Sequence, residues 1–379
     1  MFDFLSLRPK AFGLGISDLS LKIVSLEKKG KFLSLDSWRE TEIKPGIIKE
    51  GEIKDEKALS EIIKDSLGRV RGKKLKTRNV VASLPEKKAF LQVIQMPKMK
   101  EEELKTAVPF EAENYIPLPI EEVYLDFQVI PSVNGHSDHL DILIAALPRE
   151  ITNSYVLSLK KAGLSPRALE IESQSISRAL VKNEISSFPL LLIDFGKSRA
   201  TLIIFYGGSL RFTSTIPISS QKLTEAISET LKVDLAEAEK LKLKHGLKIS
   251  KESQSKRKKT PEIRKNKIED KIFEAIIPIL TDLVEQIKKY ISYYQTHADH
   301  ERFLSDGIII EKILLCGRGA NLKGLTDFLS SELKIPVELG NPWINILPAP
   351  LKEVPELPFR ESLGYTTALG LALRGIRGE

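Results

Sequence analysis

The sequence predicts an α/β protein of two lobes, with duplicated mixed sheets and a small α+β subdomain inserted into the first lobe. Three observations support this class. Short apolar segments separated by glycine and charged residues predict a β-meander over residues 12–37, and a similar run of three strands returns at 190–217. Between them, residues 86–150 show a strand–helix–strand–strand pattern of their own. A repeat of this kind implies two similar halves.

Composition places the chain among globular proteins. It has 379 residues, of which 42% are apolar and 29% charged, and this length suggests about two to three domain-sized units. No apolar run approaches the length of about 18 residues that a transmembrane helix needs, and residues 1–10 lack the apolar stretch of a secretory signal. The single cysteine, Cys316, excludes an intrachain disulfide and a multi-cysteine metal site. A reducing cytoplasm is therefore expected.

The net charge of +7 comes mostly from one short segment. Residues 251–271 contain nine basic and four acidic residues, a difference of +5. A confined basic run is typical of a solvated loop or helix end. Contact with nucleic acid or anionic lipid at this segment is the alternative interpretation, but we do not expect the protein to be a nucleic-acid binder.

Apolar spacing defines the elements of the first lobe. Strands are predicted at 12–14, 19–26 and 32–35, followed by a helix over about 55–68 and a strand at 79–84. The helix is predicted because its apolar residues recur every three or four positions, so that one face can be buried. These residues are Ala58, Leu59, Ile62, Ile63 and Leu67.

The inserted subdomain is predicted from a second set of elements. A strand at 90–96 precedes a helix at 101–115 with acidic residues in its first turn, which suits the helix dipole. Pro109 lies inside this helix and predicts a kink. Strands at 123–130 and 140–147 complete the unit.

The remaining elements follow in chain order. A helix at 151–162 ends at Gly163, which is a common residue at helix C-termini. The pattern then predicts a strand at 167–171, a helix at 174–181, strands at 190–194, 200–206 and 209–217, a helical region at 221–247, a long amphipathic helix at 271–297, a strand at 313–315, a helix at 322–333, a last strand at Val337 and an apolar helix at 363–373.

These elements suggest a division of the chain. Residues 1–84 and 164–186 form the first lobe, and 85–163 form the inserted subdomain. Residues 187–230 and 301–379 form the core of the second lobe, and 231–300 form a helical subdomain that contains a basic segment, 248–270, expected to be mobile.

Two turns carry possible binding chemistry. In Asp194-Phe195-Gly196-Lys197-Ser198, an apolar strand ends in a carboxylate and a glycine turn. Such a turn can offer backbone N–H groups and a hydroxyl to a phosphate, and the Asp can hold a metal-bound water. An ordinary β-turn explains the same residues. The N-terminal run from Gly13 to Ser20 mirrors this turn but has Gly15 where the carboxylate would stand.

Two further features suggest contacts to a nucleoside. Cys316-Gly317-Arg318-Gly319-Ala320 lies between a predicted strand and helix, where glycine lets a ligand approach the backbone. Glu239 and Lys242 are three residues apart and share a helix face, from which they could hydrogen-bond ribose or adenine. The alternative interpretation of the glycine-containing turn is a tight structural turn. The alternative interpretation of Glu239 and Lys242 is an exposed ion pair. The histidines show no metal-ligand spacing, and no Walker A or G-x-S-x-G motif is present.

Taken in their order along the chain, the two turns, the inserted subdomain and the Glu239–Lys242 helix resemble the PilM family of type IV pilus assembly proteins. This family is similar to FtsA and belongs to the actin-like ATPase superfamily. The most specific stretch runs from Lys98 through Pro119 to Val129. Further matches lie at 45–53, at Ala238-Glu239 with Lys242, at 315–325 and at 368–375. The resemblance implies an actin-like (ribonuclease H-like) fold with a nucleotide cleft between two lobes.

The resemblance also implies an ATP site with Mg²⁺, in which Asp194 would hold the metal through a water molecule. The residues that would bind nucleotide are Ser17, Asp18, Ser20, Asp194, Gly196, Ser198, Glu239, Lys242, Gly317, Gly319 and Ala320. Family members usually carry Asp and Gly where this chain has Gly15 and Ser17, and glycine where it has Arg318. We therefore expect weak nucleotide binding and negligible turnover, so that the protein is not an enzyme.

The family's inserted subdomain and the neighbouring core form a groove for the cytoplasmic N-terminal peptide of PilN, a bitopic inner-membrane protein. Phe90, Leu91 and Val93 lie on a strand suited to line such a groove, although core packing explains them equally well. The resemblance implies a cytoplasmic scaffold that reaches the inner membrane through its partners, with pilus motor ATPases as further candidate partners.

Three other functions stay open at this point. An FtsA-like filament protein would carry an amphipathic anchor beyond the last core helix, which is expected to be absent because the sequence stops at Glu379. An active ATPase or a small-molecule kinase of the same superfamily would need intact phosphate turns, and the first turn departs from that pattern.

Overall fold

The computed structural model describes residues 10–30, 32–130, 139–247, 268–297, 309–348 and 354–378. The strands are β1 (Phe12–Ile16), β2 (Ser20–Lys29), β3 (Phe32–Glu42), β4 (Ile48–Lys49), β5 (Glu52–Ile53), β6 (Arg71–Gly72), β7 (Asn79–Leu84), β8 (Phe90–Pro97), β9 (Val123–Ile130), β10 (His139–Pro148), β11 (Ser165–Ile171), β12 (Ser186–Phe195), β13 (Ala200–Gly207), β14 (Ser209–Ile216), β15 (Lys312–Cys316) and β16 (Val337–Leu339). The helices are α1 (Glu56–Gly68), α2 (Glu101–Ala112), α3 (Arg149–Lys161), α4 (Glu172–Leu180), α5 (Ser220–Leu231), α6 (Leu235–His245), α7 (Ile268–His297), α8 (Leu325–Leu333), α9 (Phe359–Ser362) and α10 (Thr366–Arg377).

The chain divides into two compact units. The first unit comprises residues 1–188, 203–214 and 341–379, and the second comprises 189–202 and 215–340. Residues 341–379 thus group with the first unit, whereas the sequence analysis placed them in the second lobe. The physical reason is that α10 packs on β1, β2 and α4 of the first unit. Residues 203–214 also group with the first unit, although the sequence analysis placed them in the second lobe. The predicted domain bounds as a whole stay a prediction.

The first unit is built on a six-stranded mixed sheet with the order β11-β7-β1-β2-β3-β6. β1 pairs antiparallel with β2 and parallel with β7, and β7 pairs parallel with β11. Helices α1 and α3 bury apolar side chains against this sheet, among them Leu59 and Tyr155. Helix α3 therefore packs into the core of the first sheet, although the sequence analysis grouped it with the inserted subdomain.

The inserted subdomain has an antiparallel sheet with the order β8-β10-β9, and α2 packs on one face of it. Because side chains alternate along a strand, β10 sends Ile142, Ile144 and Ala146 into the cluster with α2. Leu143 and Ala145 lie on the opposite face. Helix α2 ends at Ala112, three residues before the predicted end, and contains Pro109 as predicted.

A five-stranded sheet has the order β14-β13-β12-β15-β16. Its strands β15 and β16, with most of β12, belong to the second unit. The predicted single helical region at 221–247 is wrong, because Lys232 adopts φ 56° and ends α5, and Asp234 then caps α6. A 3₁₀ turn at 318–321 and Gly324 (φ 82°) separate β15 from α8, which therefore starts at residue 325 and not at 322.

Part of the predicted basic segment lies outside the described residues, namely 248–267. Residues 268–270 form the first turn of α7, and the expected mobility of the segment stays a prediction. Among the residues that the structure describes, no helix is both long and apolar enough to cross a membrane.

The buried carboxyl group of Glu86 lies where the chain enters the inserted subdomain. It accepts a hydrogen bond from the Ser173 N–H at 3.0 Å, in the first turn of α4. Burial raises the pKa of Glu86, and the Ser173 hydrogen bond opposes this in part. A raised pKa in the folded state means that ionisation of Glu86 lowers stability. This cost is complete above the folded pKa, shrinks as the pH falls below it, and is gone below the ordinary pKa of a glutamate in the unfolded chain.

Glu86→Gln is therefore expected to raise the thermal unfolding midpoint at about pH 8 and to have a smaller effect at about pH 5. The glutamine keeps an oxygen for the Ser173 N–H and removes the buried charge. The measurement is differential scanning fluorimetry across this range, with Glu61→Gln on the exposed side of α1 as a control. A difference that does not vary with pH would contradict the assignment of a buried charge.

Candidate functional site

The first turn of the candidate site follows β12 in the second unit. Asp194 lies near the end of this strand, and the Gly196 N–H closes the turn by donating to the Arg199 carbonyl at 2.9 Å. The Gly196 and Lys197 carbonyls accept the first two N–H groups of α5, at 3.0 and 3.2 Å. The turn is thus tied to α5, and these helix N–H groups already have partners within the protein.

The second turn follows β15, which runs parallel to β12 with Cys316 opposite Asp194. Gly317 has φ 81°, and a Cβ there would overlap the Asp194 carboxylate. A Cβ at Gly319 would lie 2.6 Å from Phe195 Cδ1. Only glycine permits this close approach, so the two turns pack directly on each other. The predicted site residues that they bring together are Asp194, Gly196, Ser198, Gly317, Gly319 and Ala320.

Lys242 is 2% exposed, so its pair with Glu239 is not the exposed ion pair of the alternative interpretation. The ammonium nitrogen lies 2.6 Å from Glu239 Oε2. It also donates to Thr224 Oγ1 at 2.7 Å, and to the hydroxyl and carbonyl oxygens of Ser220 at 2.8 and 2.9 Å. Because an ammonium group has three N–H donors, these four acceptors use all of them. Lys242 therefore positions Glu239 and α5.

The electrostatics of this cluster link it to the two turns. Burial lowers the pKa of Lys242, Glu239 opposes that effect, and the charges of Arg318 and Lys197 lower it further. Burial alone would raise the pKa of Glu239, but the charge and hydrogen bonds of Lys242, with the Thr224 hydrogen bond, hold it below its ordinary value. Arg318 and Lys197 thus act electrostatically on the Lys242 cluster.

Lys242→Met is expected to destabilise the protein by about 3 kcal/mol, because it removes the donor from several buried acceptors and leaves Glu239 without its counter-charge. The matched control is Lys240→Met on the same helix. The Lys240 side chain is 76% exposed, and its replacement should change stability by no more than about 0.5 kcal/mol. Urea unfolding measures both, and equal effects would contradict a structural role for Lys242.

Three predicted site residues lie in the first unit, around the β1–β2 turn. Ser17 Oγ donates to the Ser20 carbonyl at 3.0 Å, and the two hydroxyl oxygens are 2.9 Å apart. The Asp18 carboxylate accepts the N–H groups of Gly51 and Glu50, at 3.0 and 3.2 Å, and so positions the β4–β5 hairpin. Asp18 thus has a structural use in addition to the phosphate contact predicted for it.

Asp194 is the candidate metal ligand of the two turns. Mg²⁺ is usually held by one or two carboxylates together with substrate phosphates and water. Asp194 is the one carboxylate within the two turns of the second unit. Within the described ranges, no group of three or more His, Cys, Asp or Glu side chains could hold a metal ion.

A groove of about 480 Å³ lies in the first unit, between the inserted sheet and the first core. Its walls come from β9 and β10 on one side, and from α3 and β11 on the other. The lining residues are Leu84, Tyr124, Leu125, Asp126, Ala145, Leu147, Thr152, Asn153, Val156, Lys160, Pro166, Arg167, Ala168, Leu169, Ile171 and Gln174. Most of these side chains are apolar, and Lys160 and Arg167 add positive charge on the α3 and β11 side.

Two sheet edges contribute to this groove. β9 is the last strand of the inserted sheet, and β11 is the last strand of the six-stranded sheet. An edge strand presents backbone N–H and C=O groups that an extended peptide can pair with. Tyr124 stands on β9 with its hydroxyl 3.1 Å from Asn153 Oδ1 and with the Arg149 guanidinium 4.6 Å from its ring centre.

The sequence analysis suggested Phe90, Leu91 and Val93 as groove residues, and this stays a prediction; the groove described above is lined by none of them. The pleat of β8 sends Phe90 into the cluster with α2 and Leu91 toward the first core. The groove described above lies along β9. The alternation of Tyr124, Asp126 and Gln128 with apolar residues was a signal for an exposed strand face, but the sequence does not show which element lies opposite.

The mixed sheets, with glycine turns at the ends of parallel strands, define an actin-like fold. Two solved structures share it: ethanolamine utilization protein EutJ from Carboxydothermus hydrogenoformans (15% identity, 96% of this chain and 89% of that chain, TM-score 0.52) and MreB5 of Spiroplasma citri bound to ADP (11% identity, 95% of each chain, TM-score 0.51). The predicted fold class is thus confirmed.

The family match is more specific. The model of the family described as Type IV pilus assembly protein PilM matches residues 13–376, and the chain belongs to this family. A chain of the PilM-PilN type IV pilus biogenesis complex is 27% identical, with a TM-score of 0.75, over 97% of this chain and 99% of that one. The resemblance stated from sequence is therefore confirmed.

Curated relatives also include cell division proteins. FtsA of Pseudomonas aeruginosa is 20% identical over 222 residues, which is 58% of this chain and 50% of the relative. FtsA of Escherichia coli K12 is 22% identical over 230 residues, or 59% of this chain and 52% of the relative. The chain thus spans about half the length of these relatives.

Proposed function

We propose that the chain is an actin-like scaffold of a type IV pilus machine, or of a related secretion machine, and that its groove binds the cytoplasmic N-terminal peptide of a PilN-like inner-membrane protein. One observation carries the proposal: the groove between β9, β10, α3 and β11 is mostly apolar and bordered by the edge strands of two sheets. The similarity to a chain of the PilM-PilN complex supports the choice of partner.

The chemistry of the groove suits an extended segment with alternating apolar side chains. A segment pairing with β9 or β11 would satisfy its own backbone groups and place every second side chain against Val156, Ala145 or Leu169. Lys160 and Arg167 would attract an acidic residue of that segment. A protein with this function would be cytoplasmic and held at the inner membrane by its PilN-like partner. Pilus motor ATPases are candidate further partners.

The second unit adds a nucleotide site to this proposal. The two turns after β12 and β15, together with Glu239, are the residues that would hold ATP. We expect the binding to be weak and hydrolysis to be negligible, because Gly15 replaces a carboxylate that the family usually carries. The proposed scaffold function does not require ATP hydrolysis.

The test is a fluorescence-polarisation titration of a labelled peptide from the N-terminus of the neighbouring PilN-like protein into the full chain. Saturable binding is expected, with no binding of a scrambled peptide of the same composition. Equal signals for both peptides, or no binding with or without ATP, would contradict the proposal.

A further inference from the structure

We propose that one end of the six-stranded sheet is a basic surface that binds the anionic headgroups of a phospholipid bilayer. This is the end at which β1 and β7 begin, and we call it the basic sheet end. It comprises residues 10–11, 26–30, 32–36 and 73–79, all in the first unit and none in the lining of the peptide groove. The choice of a bilayer rests on the proposed function, because a PilN-like partner would hold the chain at the inner membrane.

The pairing of β1 with β7 defines this end of the sheet. The two strands are parallel, with Phe12 opposite Val80. Lys10 and Arg78 each lie two residues before that pair and are therefore at the same level. The Asn79 side chain donates a hydrogen bond to the Lys10 carbonyl at 3.4 Å, which ties the starts of the two strands together.

The β2–β3 hairpin and the segment before β7 complete the basic sheet end. β2 runs antiparallel to β1, and its last residues, Lys28 and Lys29, extend past the start of β1. On the other side of the hairpin, the Lys73 N–H donates to the Asp36 carbonyl of β3 at 3.0 Å. Residues 74–78 then lead from this contact to the start of β7. Three separate parts of the chain thus bring basic residues to one end of the sheet.

The balance of charge at the basic sheet end is strongly positive. It contains seven basic residues and two acidic ones, Glu27 and Asp36. The Lys73 ammonium group forms ion pairs with both carboxylates. Five exposed side chains form no hydrogen bond or ion pair with any other described residue, namely those of Lys10, Lys28, Lys74, Lys76 and Arg78. Their charges are therefore available to an anionic partner.

A bilayer suits this surface better than a nucleic acid does. Lysine and arginine attract anionic headgroups without a shaped cavity, over about one Debye length, which is about 10 Å at about 0.1 M salt. Phe32 begins β3 at the same hairpin as Lys28 and Lys29, and it is 39% exposed. Aromatic side chains beside lysines are typical of the membrane–water interface. A bilayer would thus use both the charges and the aromatic ring, whereas a nucleic acid duplex would use only the charges.

Such a contact would give the chain a second attachment at the membrane. A partner that binds the groove raises the local concentration of bilayer around the chain, so a weak contact at the basic sheet end strengthens the overall attachment. Because the basic sheet end shares no residue with the groove lining, the two contacts can form together and can be measured separately.

The test is co-sedimentation of the full chain with vesicles, in the absence of the partner peptide. One set of vesicles contains phosphatidylcholine alone, and the other also contains about 30% phosphatidylglycerol. We expect binding to the anionic vesicles at about 0.05 M salt, and its loss at about 0.5 M salt or on the neutral vesicles. The double variant Lys74→Ala and Lys76→Ala should weaken binding at least about tenfold.

The matched control is the double variant Lys98→Ala and Lys105→Ala, which removes the same charge from exposed positions of the inserted subdomain. It should bind anionic vesicles within about twofold of the unmodified protein, and circular dichroism establishes that both double variants fold. Equal losses in the two double variants would overturn the inference, because total charge and not this surface would then determine binding.

Three other results would also overturn the inference. They are equal binding to neutral vesicles, no binding to anionic vesicles at low salt, and tighter binding to a DNA duplex that is lost in Lys74→Ala and Lys76→Ala. The last result would assign the surface to nucleic acid. Since the partner peptide is absent from this assay, none of these outcomes affects the groove, and the peptide titration tests the proposed function by itself.

Discussion

Val156→Asp is expected to weaken binding of the partner peptide by at least about tenfold, equivalent to about 1.4 kcal/mol. Val156 lies on α3, lines the groove and is half-buried. An aspartate at this position places a carboxylate against an apolar segment, and its desolvation is not repaid by a hydrogen bond. Fluorescence polarisation of the labelled peptide measures the effect.

The matched control is Leu157→Asp, one residue further along the same helix. Leu157 is 47% exposed and does not line the groove, so the same charge is introduced at a surface position. Its affinity for the peptide should stay within about twofold of the unmodified protein. Circular dichroism establishes that both variants fold. If Leu157→Asp weakens binding as much as Val156→Asp, the peptide does not bind in this groove.

Gly370→Ala is expected to destabilise the first unit by about 3 kcal/mol, although alanine is the better helix former. Gly370 lies in α10 where this helix crosses α4, and a Cβ there would overlap the carbonyl group of Ser175. Backbone atoms on both sides leave no flexible side chain to move away. The chain therefore has to separate two packed helices to accept one methyl group.

Gly68→Ala is the control for this prediction. Gly68 ends α1, and no neighbouring atom lies within 4 Å of the position that a Cβ would take there. The substitution should therefore be neutral or stabilising by about 0.5 kcal/mol. Urea unfolding of the two variants gives the comparison. An unfolding midpoint for Gly370→Ala at or above that of the unmodified protein would contradict the close contact between α10 and α4.

Local sequence signals predicted many of the elements. The strands at 79–84 and 123–130 have the predicted bounds, because alternation and flanking proline or glycine residues define them locally. The sequence does not predict the break between α5 and α6. Lys232 ends α5 in a left-handed conformation, which is usually signalled by glycine or asparagine and not by lysine. The 3₁₀ turn at 318–321 was missed for a related reason, since no sequence signal separates it from the first turn of a helix.

The candidate site was less accessible from sequence. The spacing of Glu239 and Lys242 indicated a shared helix face, but the burial of Lys242 depends on Ser220 and Thr224 of another helix. The groove depends on which strand of the inserted sheet stands opposite α3. The strand that lies opposite α3 is determined by the order of strands in the sheet, which depends on long-range pairing. The sequence of an apolar strand such as β8 does not show whether its side chains contact a helix or a ligand.

The most direct test of the peptide groove is hydrogen–deuterium exchange of the full chain with and without the PilN-like peptide. The account predicts slower exchange at the two edge strands, residues 123–130 and 165–171, together with α3. Residues 101–112 on the far side of the inserted sheet should exchange as before. Protection confined to α2, or none at either edge strand at saturating peptide, would contradict the account.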